Sequence, residues 1–238
     1  MTRRKQGRVR RGVLAGVKVI GLCLTLLLVT PHIWAADCGD TTGPGGTRVP
    51  CQCGDRVTTN TILQPTDPVV STDPADICSG DGLEVDTEVA LNCNHLTLRG
   101  SGVGAGIFLD SVGLMTIEQC VVTGFEIGIN IIDGSVSTVA KNEISKNTMG
   151  ILCVEDCILN VFTKNNIFAN AGDGLSLNRD SVDNDVIENQ IHDNGGKGIV
   201  EDESCIGNVL TNNAISGNEG DEVSIQEENN TLVSNVGG

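Results

Sequence analysis

From about residue 80 onward, hydrophobic and polar residues alternate in short segments that recur at a nearly constant interval. Each unit holds three such segments, for example residues 175–177, 184–186 and 189–191. Alternation with a period of two is typical of β-strands that bury one side. A glycine followed by an aliphatic residue marks each unit. These evenly spaced markers are Gly82-Leu83, Gly106-Ile107, Gly128-Ile129, Gly150-Ile151, Gly174-Leu175 and Gly198-Ile199.

Asparagine and glycine recur between the segments, and both tolerate the left-handed backbone that a strand needs to turn a corner. Three strands and three corners per unit indicate one coil of a solenoid, and a fixed repeat of this length is typical of such an architecture. Successive coils stack at about 4.8 Å, so equivalent residues align in columns. We therefore predict an all-β parallel β-helix of about six to seven coils over residues 80–238.

The asparagines of the repeat fall into two groups by their register. The first group lies two residues before an inward aliphatic residue, so we expect these side chains to form a buried ladder from coil to coil, because a buried amide needs partners. Its members are Asn142, Asn165, Asn189 and Asn213. We expect the second group to be solvated turn residues. Its members are Asn147, Asn170, Asn194 and Asn218.

Residues 1–35 have the composition of a secretory signal. Seven bases fall between positions 3 and 18, and an uninterrupted, largely apolar run occupies positions 19–29. That run is too short to cross a bilayer comfortably, so we expect no membrane span after cleavage behind Ala35. An uncleaved anchor is the alternative. Export implies a secreted, periplasmic or cell-surface protein. Residues 36–79 lack the repeat and predict a Cys-rich N-terminal cap.

Cysteine usage fits an oxidising compartment, where disulfides form. Nine cysteines follow the predicted signal, so at least one is free or bonded to another chain. Five are expected to pair among themselves and tie the cap: Cys38, Cys51, Cys53, Cys78 and Cys93. Cys120 and Cys153 fall on inward positions, where a thiol packs as a small core residue. A Cys153–Cys157 bond would require Cys153 to turn outward, and Cys157 lies too far from Cys205 to pair with it.

The charge balance is strongly acidic, with 31 acids, 15 bases and a formal charge of −16. Beyond position 18 only 8 bases face the 31 acids, a balance of −23, which excludes a nucleic-acid binder that works through a basic surface. Four Phe and one Trp exclude a core built on aromatic side chains. A hydrophobic share of 39%, regularly spaced, excludes intrinsic disorder.

The repeat resembles the right-handed parallel β-helix family, the fold shared by pectate lyases, mannuronan epimerases and many surface proteins. The Asn-x-aliphatic and Gly-aliphatic markers carry the resemblance and cover about residues 80–235. It implies a right-handed solenoid. In enzymes of this fold, the active site lies on the outer face of one sheet, in a groove along the helix. One solenoid hosts many activities, so function must be argued from the site.

Three side chains with catalytic chemistry share the outer face of one predicted sheet: Lys164, Glu188 and His192. A polysaccharide lyase or epimerase needs a base to remove a proton beside a carboxylate and a cation to stabilise the developing charge. His192 and Lys164 have the chemistry for these roles. The alternative is that all three are solvated surface residues. The candidate ligand-binding residues are Phe108, Phe168 and Arg179.

Acidic residues recur in the loop after each Gly-aliphatic strand, so stacking aligns them along one edge. Like charges so placed repel, and calcium held by several carboxylates would relieve the repulsion. The candidate calcium ligands are Asp156, Asp180 and Glu203. The alternative is a solvated acidic edge with counterions. With so few bases, the chain is poorly suited to hold a uronate polyanion unless calcium bridges the two.

Three functional hypotheses follow. The first is a non-catalytic exported β-helix that binds a polysaccharide or a cell-surface component, or that has a structural role. The alternative is a polysaccharide lyase, epimerase or glycoside hydrolase acting from an outer sheet face. The third is a periplasmic role in metal maturation, by fold analogy alone with the β-helix family tied to nitrous-oxide-reductase maturation. The C-terminal coil lacks a cap, so it is also a candidate dimer contact.

Overall fold

The computed structural model of the chain describes residues 37–225 and 230–237. The predicted signal, residues 1–35, lies outside the described residues. Within the described part of the chain, no helix is long and apolar enough to span a membrane.

Each coil contributes one short strand to each of three parallel sheets, which have nine, eight and seven strands. Strands are numbered along the chain, and the nine-stranded sheet is called the first sheet. It contains β1 (Asp37–Cys38), β2 (Asp55–Val57), β4 (Leu83–Val85), β7 (Ala105–Asp110), β10 (Ile127–Ile132), β13 (Met149–Val154), β16 (Leu175–Asn178), β19 (Ile199–Glu201) and β22 (Val223–Ser224).

The other two sheets complete the coils. The second sheet contains β3 (Thr61–Ile62), β5 (Ala90–Asn92), β8 (Thr116–Glu118), β11 (Thr138–Ala140), β14 (Val161–Thr163), β17 (Asp185–Ile187), β20 (Val209–Thr211) and β23 (Thr231–Val233). The third sheet contains β6 (Thr97–Arg99), β9 (Val121–Thr123), β12 (Glu143–Ser145), β15 (Asn166–Phe168), β18 (Gln190–His192), β21 (Ala214–Ser216) and β24 (Val236–Gly237). Within the described residues, β4 to β24 form seven complete coils, which confirms the predicted all-β parallel solenoid.

The third sheet confirms that an inward aliphatic residue lies two positions after each asparagine of the first group. Ile144 pairs with Val122 of the preceding coil and with Ile167 of the following coil, and Ile167 pairs with Ile191. These four side chains are fully buried and stack in one inward column. The residues on either side of each inward residue therefore point outward, which fixes the outer face of this sheet.

The Cys-rich segment before residue 80 also adds strands to the solenoid. β2 pairs with β4, and β3 pairs with β5, so the first two sheets begin ahead of the repeat markers. Two short 3₁₀ helices, Pro68–Val70 and Pro74–Asp76, follow β3. The Arg48 guanidinium pairs with the buried carboxylate of Asp67, which also accepts the backbone N–H of Cys51.

The corner between the second and third sheets holds the predicted asparagine ladder. The Nδ2 group of Asn142 donates to Oδ1 of Asn165, Asn165 donates to Asn189, and Asn189 donates to Asn213, each at 3.0 Å. All four residues are at most 2% exposed. Each Oδ1 also accepts a backbone N–H from one coil earlier, as when Asn142 N–H donates to Asn165 at 3.0 Å and Cys120 N–H donates to Asn142 at 2.9 Å. The ladder therefore satisfies backbone groups that the corner removes from sheet pairing.

The second group of asparagines forms another buried ladder, so the prediction of solvated turn residues was wrong. Asn147 Nδ2 donates to Asn170 Oδ1 at 3.1 Å, and the series continues from Asn170 to Asn194 and from Asn194 to Asn218 at 2.9 Å. Asn147, Asn170 and Asn194 are at most 2% exposed. These residues occupy the corner between the third and first sheets, where the bend turns the side chain inward.

A third ladder occupies the remaining corner, between the first and second sheets. Asn160 Nδ2 donates to Asn184 Oδ1 at 3.1 Å, and Asn184 Nδ2 donates to Asn208 Oδ1 at 2.9 Å. The Asn208 backbone N–H donates to Asn230 Oδ1 at 2.9 Å. Each of the three corners of the coil thus carries one asparagine column, because every corner leaves the same backbone N–H group in need of an acceptor.

Four disulfides lie within the described residues. Cys38–Cys51 and Cys53–Cys78 join cysteines that were expected to pair among themselves. Cys93 departs from that expectation, because it pairs with Cys120 of the next coil. Strands β5 and β8 are neighbours, and their register brings the two Cα atoms to 4.6 Å.

The Cys153–Cys157 disulfide corrects two expectations at once. Cys153 is not a free core thiol, and it does not turn outward to make the bond, because both cysteines are fully buried. The chain bends after β13, which brings the Cα atoms to 5.9 Å across the inside of the corner. Cys205 is the one free cysteine in the described part of the chain, and burial raises the pKa of its thiol to about 12.

Glu201 interrupts an inward column of the first sheet. It pairs with Leu177, which pairs with Cys153, and its side chain is buried with only 5% exposure. Neither carboxylate oxygen makes a hydrogen bond of ordinary geometry with a described residue. Burial raises the pKa of Glu201 from 4.5 to about 7; the nearby Asn208 amide lowers it in part, and the charge of Asp202 raises it further.

Replacing Asn189 by Leu should reduce the free energy of unfolding by roughly 3 kcal/mol, because each buried polar partner left unsatisfied costs about 1–3 kcal/mol. Asn189 bonds Asn165, Asn213 and the carbonyl of Phe162. Urea denaturation measures the change. The exposed neighbour Gln190 provides the control, since Gln190→Leu should change stability little. Equal losses in the two variants would contradict a ladder that stabilises the coils.

Protein stability should decline as the pH rises from about 4.5 to about 7, because the raised pKa of Glu201 favours the protonated form in the folded state. The full shift is worth on the order of 3 kcal/mol. Urea denaturation across this range should show that Glu201→Leu removes the decline and raises stability at pH 8. The exposed Glu203→Leu variant should keep it. An identical pH profile for wild type and Glu201→Leu would refute this assignment.

Candidate functional site

The outer face of the third sheet and the corner before it bring together the three candidate catalytic residues, and we call this surface the site face. Lys164 and Glu188 occupy the corner that precedes β15 and β18. Phe168 and His192 are the last residues of those strands, one coil apart. Each strand of the sheet presents its first and third residues outward on this face, because the middle residue is inward.

The corner of the site face is a stacked column of left-handed residues. Lys141, Lys164 and Glu188 have φ angles of 57°, 56° and 55°. The Lys141 N–H donates to Thr163 O at 3.0 Å and the Lys164 N–H donates to Ile187 O at 3.1 Å, so the backbone is fixed from coil to coil. Lys164 Nζ lies 3.4 Å from Glu188 Oε2, with both side chains about half exposed. Exposure makes this ion pair a weak contribution to stability.

Phe168 and His192 stack on each other at the centre of the site face. Their ring centroids are 5.3 Å apart and their planes differ by 8°. His192 Nε2 lies 3.2 Å from Asn166 Oδ1, and Nδ1 lies 2.9 Å from Asp193 Oδ2. The imidazole is thus held flat against the phenyl ring by two polar neighbours.

A shallow cavity of about 220 Å³ lies on the site face. His95, Lys141, Glu143, Lys164 and Asn166 contribute side chains to its lining. Phe168, Glu188 and His192 do not line it. Asn166 is therefore the residue that links the two parts of the site face, because it lines the cavity and contacts His192.

Sequence reasoning missed Glu143 and Asn166 as site residues. Each lies one position before an inward isoleucine, so the same alternation that placed His192 on the outer face was the available signal. His95, whose backbone is left-handed at φ 59°, also lines the cavity together with Lys141.

Arg179 lies at a different corner from the site face. It follows β16 and precedes β17, whereas Lys164 lies between β14 and β15. Its guanidinium pairs with Glu155, and its backbone N–H donates to Asp202 Oδ2 at 2.7 Å. Although burial pushes the pKa of Asp202 up, hydrogen bonds from the Ser204 side chain and the Arg179 backbone bring it below the ordinary value.

The candidate calcium ligands lie only in part around one depression. Asp156 and Asp180 line it together with Glu155, Arg179 and Ser204, and Glu203 is not in that lining. Within the described residues, no group of three or more His, Cys, Asp or Glu side chains is arranged to hold a metal ion.

Phe108 projects from the first sheet, so it shares no surface with Phe168 of the third sheet. It lines a separate cavity of about 360 Å³ together with Asp81, Glu126 and Asn130. These two half-buried, outward phenylalanine positions therefore serve as natural controls for each other.

The fold and the site face define a parallel β-helix repeat protein with a polar and aromatic outer sheet. Residues 81–236 match the family described as "Right handed beta helix region", and the chain belongs to this family. The right-handed parallel β-helix predicted from the repeat is thereby confirmed. No curated protein matches the chain in a sequence comparison.

Three solved structures are similar to this chain. An alginate lyase from Paenibacillus sp. str. FPU-7 has 13% identity and a TM-score of 0.46, over 85% of this chain and 76% of that one. The A-module of mannuronan C-5 epimerase AlgE4 from Azotobacter vinelandii has 16% identity and a TM-score of 0.40, over 74% and 66%. The AlgE6 A-module from the same organism has 12% identity and a TM-score of 0.35, over 66% and 65%. These likenesses say nothing about the activity of this chain.

Proposed function

We propose that this protein is an exported β-helix that binds a polysaccharide or a cell-surface component through the site face, without catalysing a reaction. The stacked rings of Phe168 and His192 are the observation that carries the proposal. An aromatic surface of this kind packs against the apolar face of a sugar ring, and adjacent amide groups such as Asn166 hydrogen-bond sugar hydroxyls.

The repeat supports an elongated ligand. Seven strands at about 4.8 Å spacing extend the third sheet over roughly 29 Å, which accommodates a few sugar rings. Outward polar positions recur in every coil, with Glu143, Asn166 and Gln190 aligned in one column of the face. A ligand with repeating units can therefore meet equivalent groups along the solenoid.

Two further observations support export and set the charge of the ligand. Four disulfides fit an oxidising compartment such as the periplasm or the cell exterior. Glu143 and Glu188 balance Lys141 and Lys164 on the site face, and the chain as a whole carries −16. Neutral or weakly acidic glycans suit this balance, and a strongly acidic glycan would require calcium as a bridge. The candidate calcium ligands Asp156, Asp180 and Glu203 follow strands of the first sheet, away from the site face, so calcium held there would not serve a glycan on this face.

A thermal-shift screen of the purified protein tests the binding proposal. Neutral and acidic oligosaccharides, each with and without calcium, should include at least one ligand that raises the melting temperature, because a ligand that binds only the folded state stabilises it. Phe168→Ala should abolish that shift. Phe108→Ala, which removes the outward phenylalanine of a different sheet, should leave it intact. No shift with any glycan, or equal shifts in both variants, would contradict the proposal.

A second candidate function is a polysaccharide lyase, epimerase or hydrolase, favoured by the Lys164–Glu188 ion pair on the same face as His192. In a lyase or epimerase, His192 would take the proton beside the sugar carboxylate and Lys164 would stabilise the charge that develops. In a hydrolase, Glu188 would supply a carboxyl group for acid–base chemistry.

Product analysis distinguishes this candidate from simple binding. Uronate polymers and neutral glycans are incubated with the protein, and unsaturated ends, epimerised units and new reducing ends are measured. An enzyme should yield one of these products, and His192→Ala should slow its formation by about 100-fold or more. Lys146→Ala, an exposed lysine at another corner, should retain full activity. No product from wild type, or full activity in His192→Ala, would exclude this function.

A further inference from the structure

Three apolar side chains form an exposed stripe at the corner between the first and second sheets. Leu114, Val136 and Leu159 belong to three consecutive coils and are 57%, 49% and 53% exposed. Backbone bonds connect the neighbouring coils, since Leu114 N–H donates to Ser135 O and Val136 N–H donates to Ile158 O. We call these three residues the apolar stripe.

The apolar stripe is unfavourable for folding in two ways. Its residues have φ angles of 62°, 53° and 59°, a left-handed backbone that leucine adopts rarely and valine, which is branched at Cβ, adopts still more rarely. Their side chains are also largely exposed to water. The same column holds Asp183 and Gly207 in the following coils, so the corner accepts residue types that suit it. Other residue types take the same left-handed backbone, Glu88 in this column among them, so it is the exposure of three aligned apolar side chains that points to a function outside folding.

The neighbouring column widens this surface. Ile158, Val182 and Ile206 are bridged in series, one residue before the stripe column, and Ile206 is 47% exposed. A contiguous apolar patch on a protein surface marks an interaction site, whereas single exposed apolar residues do not.

Acidic residues border the apolar stripe. Glu88 precedes Leu114 in the same column and Asp183 follows Leu159, with φ angles of 60° and 55°, and both are exposed. Four coil intervals of about 4.8 Å separate them by roughly 19 Å. Glu155 and Asp156 lie on the strand side of the same corner. An anionic membrane surface would be repelled by these charges, and a second copy would bring acid against acid.

We propose that the apolar stripe docks an extended polypeptide segment of another protein, with an apolar centre and a basic residue at each end. About six residues of extended chain span the distance from Glu88 to Asp183. The basic ends would pair with these acids, while the third and fifth side chains of the segment, which point to the same side as its ends, pack on Leu114, Val136 and Leu159. This proposal is independent of glycan binding on the site face.

A defined probe tests the proposal: a capped, labelled seven-residue peptide with lysine at positions 1 and 7, valine at positions 3 and 5, and threonine at positions 2, 4 and 6, so that the lysines and valines share one side. Fluorescence anisotropy with the full chain should show binding that weakens at high salt. The triple variant Leu114→Asn, Val136→Asn and Leu159→Asn should bind at least about tenfold more weakly, because apolar contacts at the centre of an interface carry most of its affinity. Its melting temperature should be unchanged or higher, since asparagine tolerates the left-handed backbone.

Matched controls test whether the probe binds the apolar stripe specifically or any exposed apolar residue. Ile62 and Val103 are 50% and 47% exposed outside the stripe, and the double variant Ile62→Asn, Val103→Asn should bind the probe like wild type. No binding by wild type, equal binding by the triple variant, or equal binding of a peptide with serine in place of valine would overturn the proposal. A large fall in the melting temperature of the triple variant would also overturn it, because the residues would then serve folding. Sedimentation showing a dimer that the triple variant abolishes would overturn it as well, by assigning the stripe to a second copy.

Discussion

The solenoid depends on hydrogen-bond acceptors for the backbone N–H groups at its corners. A parallel sheet satisfies the strands, but every bend takes a donor out of sheet pairing and buries it. At all three corners an asparagine Oδ1 accepts that donor from the preceding coil, as Asn165, Asn170 and Asn184 show. Because the asparagine amide then donates to the next coil, each column bonds in series and holds the coils at a constant spacing.

This constraint also determines where chemistry can occur. Constant spacing keeps equivalent residues in register, so an outward residue of one coil lies beside its counterpart in the next. Phe168 meets His192, and Lys164 meets Glu188, for this reason. The outer faces are therefore columns of side chains rather than enclosed pockets, and they suit extended ligands. The exposed Leu114, Val136 and Leu159 are aligned by the same mechanism.

Much of this architecture could be predicted from sequence, because alternation and the glycine markers report burial directly. The third-sheet register and the ladder from Asn142 to Asn213 followed from that pattern. Asn147 could not be told from a solvated turn residue, because direction at a corner depends on the local bend. The Cys93–Cys120 bond likewise depends on which coil lies adjacent. In the site, register placed His192 outward, but the cavity that joins Asn166 to Lys164 depends on side-chain conformations at the corner.

Native-state hydrogen exchange tests the central role of the ladders most directly. Within the described coils, the backbone N–H groups of Asn165 and Asn170, both donated to asparagine side chains, sit at corners where ordinary turns exchange quickly. If the ladders hold the coils together, these two amides should exchange only through global unfolding, as slowly as the amide of the buried strand residue Ile167. Exchange at the rate of an unstructured peptide would show that the corners open independently, and the account would be wrong.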